Sequence, residues 1–83
     1  MKLTYLEWID SASIGNSWTS LEEVLKEKPR LVKQVGWILT ENKEYLIIVA
    51  TLDLTKEGQK YVSDGLVVVK SLIKKRIDLS KYV

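Results

Sequence analysis

Acid–base and nucleophilic chemistry at neutral pH draws first on histidine and cysteine, and this chain of 83 residues contains neither. Their absence removes the commonest metal ligand, thiolate zinc sites and any disulfide framework. Asp, Glu, Lys and Tyr remain as titratable groups, and no spacing among them announces two side chains held together with separated pKa values. Asp10 beside the Ser11 and Ser13 hydroxyls has the outline of a nucleophile. A serine needs a tuned base next to it, however, and the reading that fits the composition is a turn capped by side-chain to backbone hydrogen bonds. Gly15, Gly36, Gly58 and Gly65 fall in neither a phosphate-loop nor a dinucleotide spacing. The sequence therefore predicts no catalytic residue, no metal site and no cofactor.

Binding asks for less: a stacking plane, a few hydroxyls or amides, and one or two cations suffice to hold a phosphate-bearing ligand. Of the three tryptophans, Trp37 alternates with Val35 and Leu39 and is assigned to the core, and Trp8 is assigned to the core against the helix. Trp18 lies among Asn16, Ser17 and Thr19, where a large aromatic is either a lid on the end of the fold or part of a binding surface. Net charge is only +2, yet Lys70, Lys74, Lys75, Arg76 and Lys81 face only Asp78 over the last 14 residues. If that segment is a strand, Lys74 and Arg76 share a face and Lys70 sits at the turn feeding it. Such an edge either accepts phosphates or guards against wrong pairing. The candidate ligand-binding set is thus Ser11, Ser13, Asn16, Trp18, Lys70, Lys74 and Arg76.

These residues need elements to hold them. Leu3 to Asp10 alternate as a strand, with Leu3, Tyr5 and Ile9 on one face and Leu6 and Trp8 on the other. A loop of small residues follows. Thr19 and Ser20, each three residues ahead of a glutamate, give two overlapping capping-box matches for a short helix near 20–27, which Pro29 stops. Val35 to Leu39 and Tyr45 to Thr51, around the tetrad Glu41-Asn42-Lys43-Glu44, read as a β-hairpin. Its second arm is apolar on both faces, so a helix, a loop or another subunit has to cover the outer one. Asp53 to Asp64 read as a long loop with room for a helical turn around Gln59 to Val62, Asp64-Gly65 as a turn, and Leu66 to Val69 as a strand. Val69, Leu72, Ile73 and Ile77 fit helical spacing, but a tight turn at Lys70–Leu72 followed by a strand through Leu79 is preferred, because a last strand lets the sheet close.

With 46% hydrophobic residues the chain has material for one small core and forms a single domain, 1–83, with little stability to spare. No apolar run approaches the length of a membrane span, and no signal peptide is evident, so a cytoplasmic protein is expected. The element order is that of a mostly β, five-stranded SH3-like or Sm-like barrel with a short helix between strands 1 and 2. Tyr5-Leu6-Glu7-Trp8-Ile9-Asp10-Ser11, Trp18 before an acidic helix, Gln34-Val35-Gly36-Trp37-Ile38-Leu39, Tyr45 to Ala50, and Gly65 to Lys70 with Ile73 together resemble a group of small phage and prophage proteins. The shared features are a W-x-D-S start, a V-G step opening the hairpin and a V-K-x-x-I end; Val69 and Gln34 stand where that group would have proline and serine. The resemblance implies a phage protein in the cytoplasm of a bacterial host, an oligomer, and a non-enzymatic, anti-defence role: docking on a host protein or sequestering a small nucleotide signal in a pocket between subunits. An Sm-like or SH3-like module for RNA or single-stranded DNA is the alternative, weakened by the low net charge. A structural subunit of a virion or complex is the third.

Overall fold

The computed structural model describes residues 1–11, 18–55 and 61–83. It contains five strands, β1 (Lys2–Asp10), β2 (Arg30–Glu41), β3 (Tyr45–Asp53), β4 (Tyr61–Val69) and β5 (Ile73–Asp78), with a five-residue helix α1 (Leu21–Leu25) between the first two. All pair antiparallel in one sheet of order β4-β3-β2-β1-β5. Among the described residues no ladder joins β4 to β5, so the sheet is open and the closure expected from the sequence is absent. No helix among them is long and apolar enough to cross a membrane.

The two edge strands are nevertheless consecutive in the chain. Only the 3-10 turn Lys70–Leu72 separates Val69 from Ile73, a step that spans at most about 14 Å even when fully extended. Four strand spacings across a flat sheet come to about 19 Å. The sheet must therefore curl at that end. The core confirms the direction of curl: Leu6, Leu46 and Ile48 are completely buried and Val68 nearly so, although among the described residues no second layer packs on them. They pack with Trp8 and Ile38, and with Val32 and Ile73 at the margin, inside the concave face. Trp8 is thus a core residue as expected, its indole N–H donating to the Gln34 side chain at 3.3 Å.

Gly36 fixes the closest approach in this core. It pairs with Thr4 on the concave face, and a Cβ built there would lie 2.6 Å from the Val49 carbonyl oxygen and 2.7 Å from Ile48 Cγ1. Glycine at this point lets Ile48 pack across β2. It also settles which face its neighbours take. Val32, Gln34, Gly36 and Ile38 point inward, so Leu31, Lys33, Val35 and Trp37 lie on the convex face. The core assignment of Trp37 is corrected accordingly: Val35 is half exposed, and Trp37 lies on the convex face outside the core cluster, although its neighbours still shield most of it.

Other expectations divide. The tight turn at Lys70–Leu72 and the strand after it are present. Ser20 is the helix cap, its hydroxyl accepting the Glu23 N–H at 3.3 Å. Asp64-Gly65 does not turn the chain: both lie inside β4, where Asp64 takes a left-handed φ of 56° and Gly65 pairs with Val49. Local turn propensity is spent on a kink, because β3 already holds its neighbours Ser63 and Leu66 in register. The helical turn proposed around Gln59 to Val62 falls partly on residues outside those described; Tyr61 and Val62 belong to β4.

Replacing Gly36 with alanine forces a methyl group against backbone and should cost about 2 kcal/mol. Gly65→Ala, where the nearest atom is Val49 Cγ1 at 3.5 Å, should be tolerated. Urea denaturation of both variants measures the difference.

Candidate functional site

At the curled end of the sheet the chain gathers its best-ordered charges. The hairpin between β2 and β3 is held by Asn42, whose side-chain oxygen accepts the N–H groups of Glu44 at 2.8 Å and Tyr45 at 2.9 Å. The Lys70 N–H then donates to the Glu44 carbonyl at 2.8 Å, tying the 3-10 turn to that hairpin. This places Glu41, at the end of β2, between Lys70 Nζ at 2.6 Å and a bidentate Arg76 guanidinium at 3.0 and 2.9 Å. The Arg76 hydrogen bonds first, and the Lys70 bond second, hold the Glu41 carboxyl at about 2, well below its ordinary 4.5; the same pairing raises the Arg76 pKa.

Lys70 and Arg76, two of the residues expected to bind phosphate, are thus brought together, but on a carboxylate of their own chain. A ligand phosphate would have to displace Glu41 or share both cations with it, and a fork-to-carboxylate pair is among the stronger surface interactions. Beside them Met1, Lys2, Ile38, Leu39, Thr40, Glu41 and Arg76 line a shallow recess of about 260 Å³, below the usual size of a small-molecule pocket. Lys74 does not join Arg76 on one face. Ile73 pairs with Trp8 and Arg76 with Leu6, and the register shift between them puts an extra residue into β5 that breaks the alternation.

The remaining expected residues are elsewhere. Ser11 is exposed just beyond Asp10, which pairs with Arg30 at the start of β2. Arg30 and Glu41 are the two ends of that strand, about 36 Å apart along its path. Trp18 is fully exposed, at 105%. Ser13 and Asn16 lie outside the described residues. Within one chain, then, Ser11 lies at the opposite end of β2 from the Glu41 cluster that holds Lys70 and Arg76, while Lys74 sits at the bulge beside Glu7 and Trp8.

The row of Val35, Trp37 and Leu39, in which Trp37 was expected in the core, belongs to a larger surface on the convex face. The register sets Leu3 beside Trp37 and Val49, Tyr5 beside Val35 and Ile77, Ile47 beside Val67, and Tyr45 beside Val69, all on the convex face. Val67 is 61% exposed, and Val35, Val69, Ile77 and Leu39 are between a third and a half exposed. Glu7 pairs with Lys33 on one side and Lys75 on the other, a charged row that crosses this band. The Tyr5 hydroxyl donates to Glu7 at 2.6 Å, a bond that raises its pKa and anchors the ring. The periodicity of Val35, Trp37 and Leu39 was visible in the sequence; Gly36 was the signal that their face is the outer one.

No family model, curated protein or solved structure matches the chain.

The Glu41 pairing has a pH signature. Its folded pKa lies below the unfolded value, so its stabilisation is complete above about 4.5 and is lost as pH falls toward about 2. Glu41→Gln should cost about 1 kcal/mol at pH 7 and should flatten the acid side of the stability profile between those limits, measured by urea denaturation across pH.

Proposed function

We propose that the chain is a non-enzymatic binding protein that works by docking the convex face of its sheet onto another folded protein surface. The observation that carries this reading is the set of half-exposed apolar side chains Val35, Val67, Val69 and Ile77 on the convex face, around the partly shielded Trp37 and Ile47. A sheet face in water ordinarily carries polar side chains, and contiguous exposed apolar area marks interaction sites. Sequestration of a phosphate-bearing signal within one chain is the weaker reading, since Lys70 and Arg76 are already engaged by Glu41, which halves their joint charge. In the proposed account the curled sheet is a barrel of the SH3-like or Sm-like kind, a reading supported by its strand order and by the three-residue link between its edges. The likeness to phage and prophage proteins supplies the setting: a protein of the host cytoplasm that acts by binding rather than on a substrate.

The double variant Val35→Asp/Val67→Asp tests the docking face. Both side chains are at least half exposed and touch only cross-strand neighbours such as Tyr5 and Ile47, so the variant should unfold within about 2 kcal/mol of the wild type while losing the binding of an apolar dye such as ANS. Collapse of the fold in this variant would mean that the chain covers the face itself. Strong thermal stabilisation of the wild type by a cyclic nucleotide would return the function to sequestration.

A further inference from the structure

The chain that carries half-exposed apolar side chains on its convex face also carries an exposed apolar arm. Residues 11–29 connect the paired ends Asp10 and Arg30, and α1 lies within that excursion with no buried residue. Leu21 and Leu25, four apart and therefore on one side of the helix, are 72% and 75% exposed, and Trp18 just ahead of the cap is fully so. A helix of five residues is far below the length that is stable in water by itself. It needs a surface to pack on, and within its own chain only Val24 is partly shielded.

We propose that the occupant of the convex face is the α1 arm of a second copy, exchanged reciprocally so that each copy's Trp18, Leu21 and Leu25 seat on the other's Val35, Trp37 and Val67. This rests on the docking reading and names its partner. Three features of the chain favour a second copy over an unrelated protein. Both halves of the contact belong to one sequence, so a two-fold pair satisfies both at once. Their charges are complementary: Glu22 and Glu23 open the helix, and Lys33 and Lys75 flank Glu7 on the face. The areas are of the right order as well, for a buried tryptophan alone contributes about 200 Å², and two such arms on two faces approach the roughly 800 Å² per partner of a stable complex.

Sedimentation of the whole chain over a wide concentration range, with two variants, tests this. The wild type should be a dimer that dissociates on dilution. Leu21→Asp/Leu25→Asp removes the arm and Val35→Asp/Val67→Asp removes the face; each should be monomeric alone. Mixed in equal amounts they should form a one-to-one heterodimer, because the intact face of the first meets the intact arm of the second. That dimer should be weaker than the wild type, having one contact in place of two. Circular dichroism of each variant checks that the sheet is retained. A mixture that stays monomeric overturns the exchange. A wild type that is monomeric at every concentration also overturns it: if that monomer still binds ANS at its convex face, the docking reading survives with another partner, and if it does not, both fail.

Discussion

The three residues Lys70–Leu72 constrain everything else in this molecule. They connect the two edge strands of a five-stranded sheet across a distance too short for the sheet to stay flat. Once it curls, its inner face can bury Leu6, Leu46, Ile48 and Val68 without a second layer among the described residues, which is how a chain of 83 residues makes a core from one sheet. Glu41 secures the bend by reaching Lys70 in the turn and Arg76 in β5. The hydrogen bond from Lys70 to Glu44 adds a backbone tie to the same corner.

The curl has a second consequence. Side chains that alternate with the core point to the convex side, and along β2, β3 and β4 many of them are apolar as well. The chain thus has more apolar surface than its own core consumes. Its Cα radius of gyration, 16.3 Å, exceeds the roughly 12 Å of a compact domain this long. A fold of this kind gains more from a neighbour than a self-sufficient domain does, and the account places its function in that contact rather than in a pocket.

Much of the fold was legible in the sequence because it depends on local patterning. The alternation in β1 placed Leu6 and Trp8 opposite Tyr5, the Ser20–Glu23 spacing marked the helix start, and the β-branched run in β3 marked the centre of the sheet. What misled was information that lives in pairing. Val35, Trp37 and Leu39 look like a core row until Gly36 is seen opposite Thr4 and under Ile48. Asp64-Gly65 looks like a turn until β3 is seen to hold it in line. The candidate site fared similarly. Lys70 and Arg76 were rightly joined, but their partner Glu41 is distant from Arg76 in sequence and carries no local signal. Lys74 was displaced by a bulge that single-sequence alternation does not reveal.

The central claim is that the convex face is covered by a partner when the protein works, and radical footprinting of its side chains as protein concentration rises tests it most directly. The account predicts that oxidation of Val35, Val67 and Trp18 falls together while that of Tyr82, exposed in the 3-10 turn Ser80–Tyr82, stays constant. Full and unchanging oxidation of Val35 and Val67 at every concentration would contradict it.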